Sequence, residues 1–291
     1  MIHENSILVP VFYFSGTGNT WWAAEELSRQ LNENGLPSRA YSIEALSASD
    51  ASALVDSAIM VGFGYPIHGS DLPEPMKIFI ATLSAVKEKP AFTFCTQWLW
   101  SGDGAAIGAS LVRNIGFDVR WGEHFLMPNN VTVTIIRLPY TNNPDRLSKA
   151  LNRTRRKIEK FASKIITGKP YRHGFNRFSF LMGCLQRIPY RRFYHRLQDH
   201  IAVNPDSCID CGLCVRLCPS GNLFFNGEEY LTRGSCTLCL RCYNFCPKAA
   251  INFMKRPHLA KRGKPYRGPI DNFNPEALIK TDFQKHRSGI S

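Results

Sequence analysis

The chain has 291 residues, of which 44% are hydrophobic and 20% charged, a composition that excludes a disordered protein and suffices for one large domain or two smaller ones. No apolar run approaches the roughly 20 residues of a membrane span, and the first residues lack a secretory-signal pattern, so we expect a cytoplasmic protein without a membrane span. In a reducing cytoplasm, ten cysteines favour metal binding over disulfides.

The net charge of +13 is unevenly distributed along the chain. Residues 1–143 carry 8 basic and 13 acidic side chains, a net −5, whereas residues 144–291 carry 28 and 10, a net +18. Residues 144–200 alone hold 15 basic and 3 acidic side chains, a net +12. These shifts, with eight cysteines clustered near the C-terminus, predict a first domain at 1–168, a basic aromatic connector at 169–200, a cysteine-rich domain at 201–256 and a basic tail at 257–291.

The first domain is predicted to alternate strands and helices. An apolar run predicts a strand at 11–14, and further strand candidates lie at 39–43, 58–63, 91–96 and 119–126. Helical spacing of apolar residues predicts helices at 21–34 and 147–167, and further helix candidates lie at 74–83 and 105–115. Because Pro10 has no N–H for a strand ladder, we expect the first strand to begin after it or to contain a bulge there. The alternation predicts an α/β fold with a doubly wound, five-stranded parallel sheet, whose ligands lie beyond the carboxyl ends of the strands.

The loop after the first predicted strand is rich in glycine and small polar residues. It consists of Ser15, Gly16, Thr17, Gly18, Asn19 and Thr20. Its glycines let the backbone curl around an anion, and the following helix adds free N–H groups. The loop lacks the lysine of a Walker A motif and the spacing of a dinucleotide fingerprint. It resembles the [ST]-x-T-G-x-T loop of the flavodoxin family, which holds the phosphate of FMN; a helix-capping turn is the alternative.

The resemblance to flavodoxins implies that the loops after the third and fourth predicted strands flank the flavin ring. The candidate cofactor-binding residues there are Tyr65, Pro66, Ile67, His68, Gly69, Thr96, Gln97, Trp98, Trp100 and Gly102. Aromatic side chains can stack on the ring and glycine-rich backbone can hydrogen-bond its edge, although ordinary packing of these aromatics stays open. A proton-donor role for His68 is conceivable, but we expect it to face solvent, and we expect Cys95 to be a core residue.

The cysteine-rich domain contains one four-cysteine pattern twice. The spacing C-x2-C-x2-C-x3-C-P occurs at 208–219 and again at 236–247. This is the pattern of bacterial two-cluster ferredoxins, in which the fourth cysteine of each run ligates the other cluster. It assigns one [4Fe–4S] cluster to Cys208, Cys211, Cys214 and Cys246, and a second to Cys236, Cys239, Cys242 and Cys218. A pair of structural zinc sites is the alternative.

Together the two parts resemble the flavodoxin–ferredoxin fusion family, a flavodoxin-like domain joined to a small C-terminal α+β ferredoxin domain. The resemblance implies FMN, two [4Fe–4S] clusters and intramolecular electron transfer between them. We predict a relay between a low-potential donor and a partner protein or small oxidant. Two alternatives stay open, a redox sensor or regulatory protein whose basic region binds a partner, and an FMN-dependent reductase of a small substrate. Whether the protein is an enzyme, the direction of electron flow and the oligomeric state stay open too.

The connector mixes arginines with aromatic residues, a composition that can bind nucleic acid, a membrane surface or an acidic protein, or can simply pack between domains. Because no nucleic-acid-reading motif is present, we expect no nucleic-acid partner. Opposite charges steer brief electron-transfer encounters, so we predict that an acidic redox protein docks on the basic stretch 144–200.

Overall fold

The computed structural model describes residues 8–135, 138–140, 142–198 and 200–279. Residues 1–7 of the predicted first domain and 280–291 of the predicted tail lie outside the described residues. The first domain is built on a parallel sheet of six strands in the order β2-β1-β3-β4-β5-β6. The strands are β1 Val9–Tyr13, β2 Ser38–Ser42, β3 Val61–Pro66, β4 Lys89–Gln97, β5 Phe117–Leu126 and β6 Tyr171–Arg172.

The predicted α/β class and parallel sheet are confirmed, but the strand number was wrong. Each of the five predicted strands overlaps one of β1 to β5. The sixth, β6, comes from the predicted connector and pairs with Trp121 and Gly122 of β5. It has two residues, too few for a strand period to be visible in the sequence.

Pro10 lies inside β1, contrary to the expectation that the strand begins after it or bulges there. The N–H of Val9 donates to the carbonyl oxygen of Pro37, the residue before β2, over 2.7 Å. Successive N–H groups of a strand point to opposite sides, so the nitrogen of Pro10 faces β3. Pairing with β3 begins only at Val11, and the proline therefore removes no ladder hydrogen bond.

Helices cover both faces of the sheet. They are α1 Asn19–Glu33, α2 Ala48–Ser57, α3 Glu74–Thr82, α4 Gly104–Asn114 and α5 Pro144–Ile166. On one face, α1 and α5 bury Leu27, Ile158 and Phe161 among their apolar residues. On the other face, α2, α3 and α4 contribute to a second core that includes Val55 and Val112. All but α2 match predicted helices, and the carboxyl ends of β1, β3 and β4 are left free of these two layers.

The rest of the chain packs around those strand ends. It forms α6 Arg177–Gln198, β7 Ile201–Val203, α7 Leu213–Arg216, β8 Leu223–Phe225, β9 Tyr230–Thr232, α8 Arg241–Phe245 and β10 Ile251–Phe253. Two antiparallel pairs, β7 with β10 and β8 with β9, make up the small α+β region that carries the cysteines. No helix in the described part of the chain is long and apolar enough to cross a membrane.

The described part of the predicted tail folds back onto the first domain. Tyr266 is fully buried, and its hydroxyl donates to the side-chain carbonyl of Asn19 over 2.7 Å. Farther along, Ser42 donates to the carbonyl oxygen of Leu278 over 2.6 Å. The tail therefore covers the outer side of the loop between β1 and α1.

Candidate functional site

The loop between β1 and α1 is buried and turns its backbone donors inward. Gly18 caps α1 with a φ of 97°, and the Ser15 hydroxyl accepts the Gly18 N–H over 3.1 Å. No side chain caps the helix, and no acceptor for the N–H groups of Asn19 and Thr20 is found among the described residues. Uncapped N–H groups at the start of a helix are a ready site for a phosphate.

This loop lines a cavity together with the two loops predicted to flank a flavin ring. Of the predicted residues, the cavity wall includes Ser15, Gly16, Thr17, Asn19, Thr20, Pro66, Ile67, His68, Thr96, Gln97 and Trp98. The hydroxyl oxygens of Thr20 and Thr96 lie 2.7 Å apart and tie the first loop to the end of β4. Residues that were not predicted complete the wall: Met127, Pro128, Asn130, Val131, Leu238, Cys239 and Leu240. The three predicted loops therefore do converge on one cavity.

Five other candidates do not line the cavity, each for a visible reason. Tyr65 is fully buried beneath α4, its hydroxyl 3.0 Å from the carbonyl oxygen of Gly104. Trp100 is 49% exposed on the outside of its loop. The remaining three are covered by other segments: Gly18 by Pro269 and Phe273, Gly69 by Tyr190, and Gly102 by Gly183.

His68 lines the cavity, so the expectation that it faces solvent was wrong. Its Nδ1 atom is buried and has no hydrogen-bond partner among the described residues. Burial lowers the pKa of His68 to about 4, which keeps the imidazole neutral at physiological pH. A buried polar atom without a partner, in a cavity beside a phosphate-type loop, fits a bound group that supplies the missing hydrogen bond. Cys95, by contrast, is the buried core residue that was expected.

The cysteine-rich region contacts the first loop directly. A Cβ atom added to Gly16 would lie 2.5 Å from the carbonyl oxygen of Cys239, so the two backbones approach as closely as a glycine allows. Leu238, Cys239 and Leu240 also form part of the cavity wall. One predicted cluster ligand is therefore part of the same wall as the predicted phosphate loop.

Arg241 holds this contact together. Its side chain is fully buried, and its guanidinium donates to the Glu44 carboxylate over 2.6 and 2.9 Å. It also donates to the carbonyl oxygens of Ser15, Gly16 and Leu217, over 2.7, 3.2 and 2.9 Å. Burial opposes its charge, but the nearby carboxylate outweighs that effect and raises the pKa of Arg241.

Sequence analysis missed Arg241, although a signal was available. The two cysteine runs align position by position, and the residue before the third cysteine is Leu213 in the first run and Arg241 in the second. A charge at one of two equivalent positions indicates a different environment there.

The eight clustered cysteines fall into two groups. Burial raises the pKa of Cys214 to about 11, and the neighbouring thiols of Cys246, Cys208 and Cys211 add to it. In the other group, burial raises the pKa of Cys236 to about 12, and the neighbouring thiols of Cys239 and Cys218 add to it. The fourth cysteine of each run thus lies near the first three cysteines of the other run.

Backbone donors surround several of these sulfurs. Asn222 donates its N–H to the Cys218 sulfur over 3.1 Å, and Ala250 donates to the Cys246 sulfur over 3.2 Å. Such N–H···S bonds are among the features that set cluster potentials. No three metal-ligating side chains in the described ranges converge on a single-ion site.

The two groups differ in their access to solvent. Cys211 is exposed, whereas Cys236 and Cys239 are buried. One group thus includes an exposed cysteine, and the other includes Cys239, which lines the cavity.

Comparison with family models identifies the first cysteine run. Residues 201–224 match the model of the 4Fe-4S binding domain. This part of the chain is therefore an iron–sulfur module suited to electron transfer. No curated protein matches the chain significantly.

Solved structures similar to the chain include flavodoxins and a flavodiiron protein. A flavodoxin from the domain Archaea is 18% identical, with a TM-score of 0.38, over 55% of this chain and 99% of its own. The flavodoxin of Megasphaera elsdenii is 20% identical, with a TM-score of 0.38, over 54% and 98%. The Flv1 flavodiiron core from Synechocystis sp. PCC6803 is 19% identical, with a TM-score of 0.41, over 57% of this chain. The match covers 38% of the flavodiiron core.

Proposed function

We propose that the protein transfers electrons within one chain between two [4Fe–4S] clusters and an FMN bound in the cavity. The observation that carries this proposal is the close approach of the Cys239 carbonyl oxygen to Gly16. It puts a proposed cluster ligand in contact with the proposed phosphate loop, so that no other layer of protein separates the two sites. Electrons would enter or leave at the cluster near the exposed Cys211 and cross the buried cluster on the way to the flavin.

The chain's own residues would bind the FMN in three ways. The N–H groups of Asn19 and Thr20, with the Thr17 hydroxyl, would hold the phosphate. Trp98 would flank the ring, and the neutral His68 would hydrogen-bond its edge. Arg241 would position the buried cysteine run against this site and place a positive charge beside it. When bound, the clusters would supply one-electron chemistry and the flavin one- or two-electron chemistry.

A cationic surface beside the cavity supports the proposal of an acidic redox partner in the cytoplasm. The exposed basic residues of α5 without an ion pair among the described residues are Arg146, Lys149, Arg153, Arg156 and Lys160. Arg146 and Arg153 line a groove with Trp98, which also lines the proposed flavin cavity. A partner with carboxylates on its docking surface would therefore meet the protein near the flavin.

The test is the cofactor content of protein purified without oxygen. We expect about eight iron and eight sulfide per chain, as two cubanes require, and one FMN. Cys242→Ser should lose about half of the iron, while Cys184→Ser, outside both runs, should retain all of it. Protein purified and reconstituted without oxygen that holds no flavin, or no more than four irons, would refute the proposal.

A second candidate, an FMN-dependent reductase of a small substrate, is favoured by the groove beside the cavity. This groove has a volume of about 440 Å³, and it shares Trp98, Met127 and Pro128 with the proposed flavin cavity. A small oxidant bound there would lie next to the flavin. Leu147→Trp, which fills the groove from α5, should abolish such a reductase activity and leave reduction of the flavin by the clusters unchanged.

A redox sensor is distinguished from both candidates by turnover. It would form a salt-sensitive complex that depends on redox state, without steady reduction of an added acceptor. Steady turnover with bleaching of the cluster and flavin absorbance supports the relay instead.

A further inference from the structure

Helix α6 is fixed to the protein along one side. Arg187 is buried, pairs with the Asp103 carboxylate and donates to the Ser70 carbonyl oxygen over 2.9 Å. One turn later, Arg191 donates to the Asp71 carboxylate over 2.6 Å. Both contacts lie on the loops that follow β3 and β4, which supply part of the cavity wall. Between Gly183 and Arg191 the inner side of α6 is therefore occupied, and these contacts set its orientation.

The outer side of α6 is an exposed apolar ridge. Phe178, Leu181, Leu185 and Ile188 recur at intervals of three, four and three residues, which puts them on one face of the helix. Their exposed fractions are 67, 55, 60 and 66%. The ridge extends over about 15 Å at the 1.5 Å rise per residue of a helix. Large apolar side chains left exposed in a row, rather than scattered singly, mark an interaction surface.

Cations flank the ridge at both ends, and no acid lies between them. Arg177 precedes the ridge, and Arg192 and Arg196 continue its face for two more turns. All three are exposed, and none has a carboxylate partner among the described residues. No Asp or Glu occurs between Arg177 and Gln198. The surface is therefore apolar in the middle and positive at its ends.

A second copy of this chain does not complement this surface, because two such ridges would bring arginines together without a carboxylate between them. An apolar stripe that lies flat, with arginine heads at the level of anionic groups, matches a helix that rests in the interface of a lipid bilayer.

We propose that the outer face of α6 binds the surface of an anionic lipid bilayer. Phe178, Leu181, Leu185 and Ile188 would enter the boundary between headgroups and acyl chains, and the three exposed arginines would contact lipid phosphates. The helix would lie in the membrane plane and would not span it. Since the inner side of α6 contacts the cavity loops, the proposed flavin site would lie about one helix diameter, roughly 10 Å, from the membrane surface.

The test is sedimentation of the full-length, cofactor-loaded protein with vesicles. Vesicles of phosphatidylcholine alone are compared with vesicles containing one third phosphatidylglycerol, without oxygen and at two salt concentrations. We expect binding to the anionic vesicles that weakens as salt rises, and little binding to the neutral ones. The double variant Leu185→Ser/Ile188→Ser should bind at least tenfold more weakly. Its matched control, Ile59→Ser/Ile78→Ser, replaces isoleucines of similar exposure on α3 and before β3 and should bind as the wild type does.

A second variant separates charge from apolar contact. Arg192→Gln/Arg196→Gln should lose roughly 30-fold in binding to anionic vesicles, at about a fivefold loss per arginine. Lys149→Gln/Arg156→Gln on α5 is its charge-matched control. Wild-type protein that ignores anionic vesicles, or an α6 ridge variant that binds as the wild type does, would overturn the proposal. A concentration-dependent dimer that Leu185→Ser/Ile188→Ser abolishes would assign the ridge to self-association instead. Vesicle binding does not depend on electron transfer, so failure here leaves the proposed relay intact.

Discussion

Replacing Arg241 by methionine should separate the iron–sulfur region from the first domain. The guanidinium is fully buried and makes five hydrogen bonds, two to Glu44 and one each to the carbonyl oxygens of Ser15, Gly16 and Leu217. Methionine fills similar space but donates nothing, so a carboxylate and three carbonyl groups lose their donor. Removing one partner of a buried ion pair costs about 3–5 kcal/mol. Because Glu44 is 13% exposed and water can reach it, we expect a loss of about 3 kcal/mol.

The assay is urea unfolding without oxygen, followed separately by flavin fluorescence and by cluster absorbance. In the wild type the two signals should change together, because Arg241 ties the cysteine run to the phosphate loop. In Arg241→Met the cluster signal should be lost at lower urea than the flavin signal. Arg216→Met is the control. Arg216 is 54% exposed and lies three residues after Leu213, the residue of the first run that is equivalent to Arg241. It should cost no more than about 0.5 kcal/mol.

A companion variant, Glu44→Gln, retains an acceptor for Arg241 and should cost less than Arg241→Met, about 1–2 kcal/mol. The reasoning is refuted if Arg241→Met loses less than about 1 kcal/mol and its two signals still coincide. In that case the contact between the two regions rests on other residues.

Three further predictions concern backbone approach, pH and the cavity histidine. Gly16→Ala would place a Cβ 2.5 Å from the Cys239 carbonyl oxygen and should lower the free energy of unfolding, measured by urea titration, by about 1–3 kcal/mol. The control is Gly35→Ala, which lies in open space at a φ of 80° and should lower it by only about 1 kcal/mol. Burial lowers the pKa of His124 to about 3, and its Nε2 accepts the Ala105 N–H. The unfolded chain therefore binds a proton first, and the free energy of unfolding falls as pH drops below about 6.5. His124→Gln should remove about 2 kcal/mol of the difference in unfolding free energy between pH 7.5 and pH 5, and a variant with the wild-type pH profile contradicts this. His68→Phe should weaken FMN binding about tenfold through one lost hydrogen bond. Binding of FMN to the wild type should be constant between pH 6 and pH 8, because the imidazole is neutral throughout. An FMN affinity that falls in step with protonation near pH 6.5 contradicts this.

The features that could be predicted from the sequence are set by local spacing. The phosphate-type loop follows a strand and precedes a helix, and the two cysteine runs repeat one pattern, so both were visible without tertiary information. Strands β1, β3 and β4 are rich in apolar residues because both faces of the sheet are covered, whereas β2 and β5 carry charged residues as well. Helix α2 was missed because Ala51 and Val55 are the buried residues it offers, although the Ser47 hydroxyl accepting the Asp50 N–H was a recognisable cap.

The features that could not be predicted depend on contacts between distant segments. In α6 the buried positions are Gly183 and Arg187, and Phe178, Leu181, Leu185 and Ile188 are exposed, so its periodicity indicates the wrong face. Pro189 inside the helix also argues against a helix in the sequence. The packing of Tyr266 on Asn19 joins residues far apart in the chain, and no local signal announces it.

The most direct test of the central claim is the rate at which the flavin is reduced after the clusters are. Stopped-flow mixing with a one-electron reductant, without oxygen, would follow cluster bleaching and flavin bleaching in the same protein. We predict that the flavin is reduced after the clusters, at a rate independent of protein concentration. Cys242→Ser, which removes the buried cluster, should slow flavin reduction at least tenfold, whereas Cys184→Ser should not slow it. Flavin reduction that scales with protein concentration, or that is as fast in Cys242→Ser as in the wild type, would contradict an intramolecular relay.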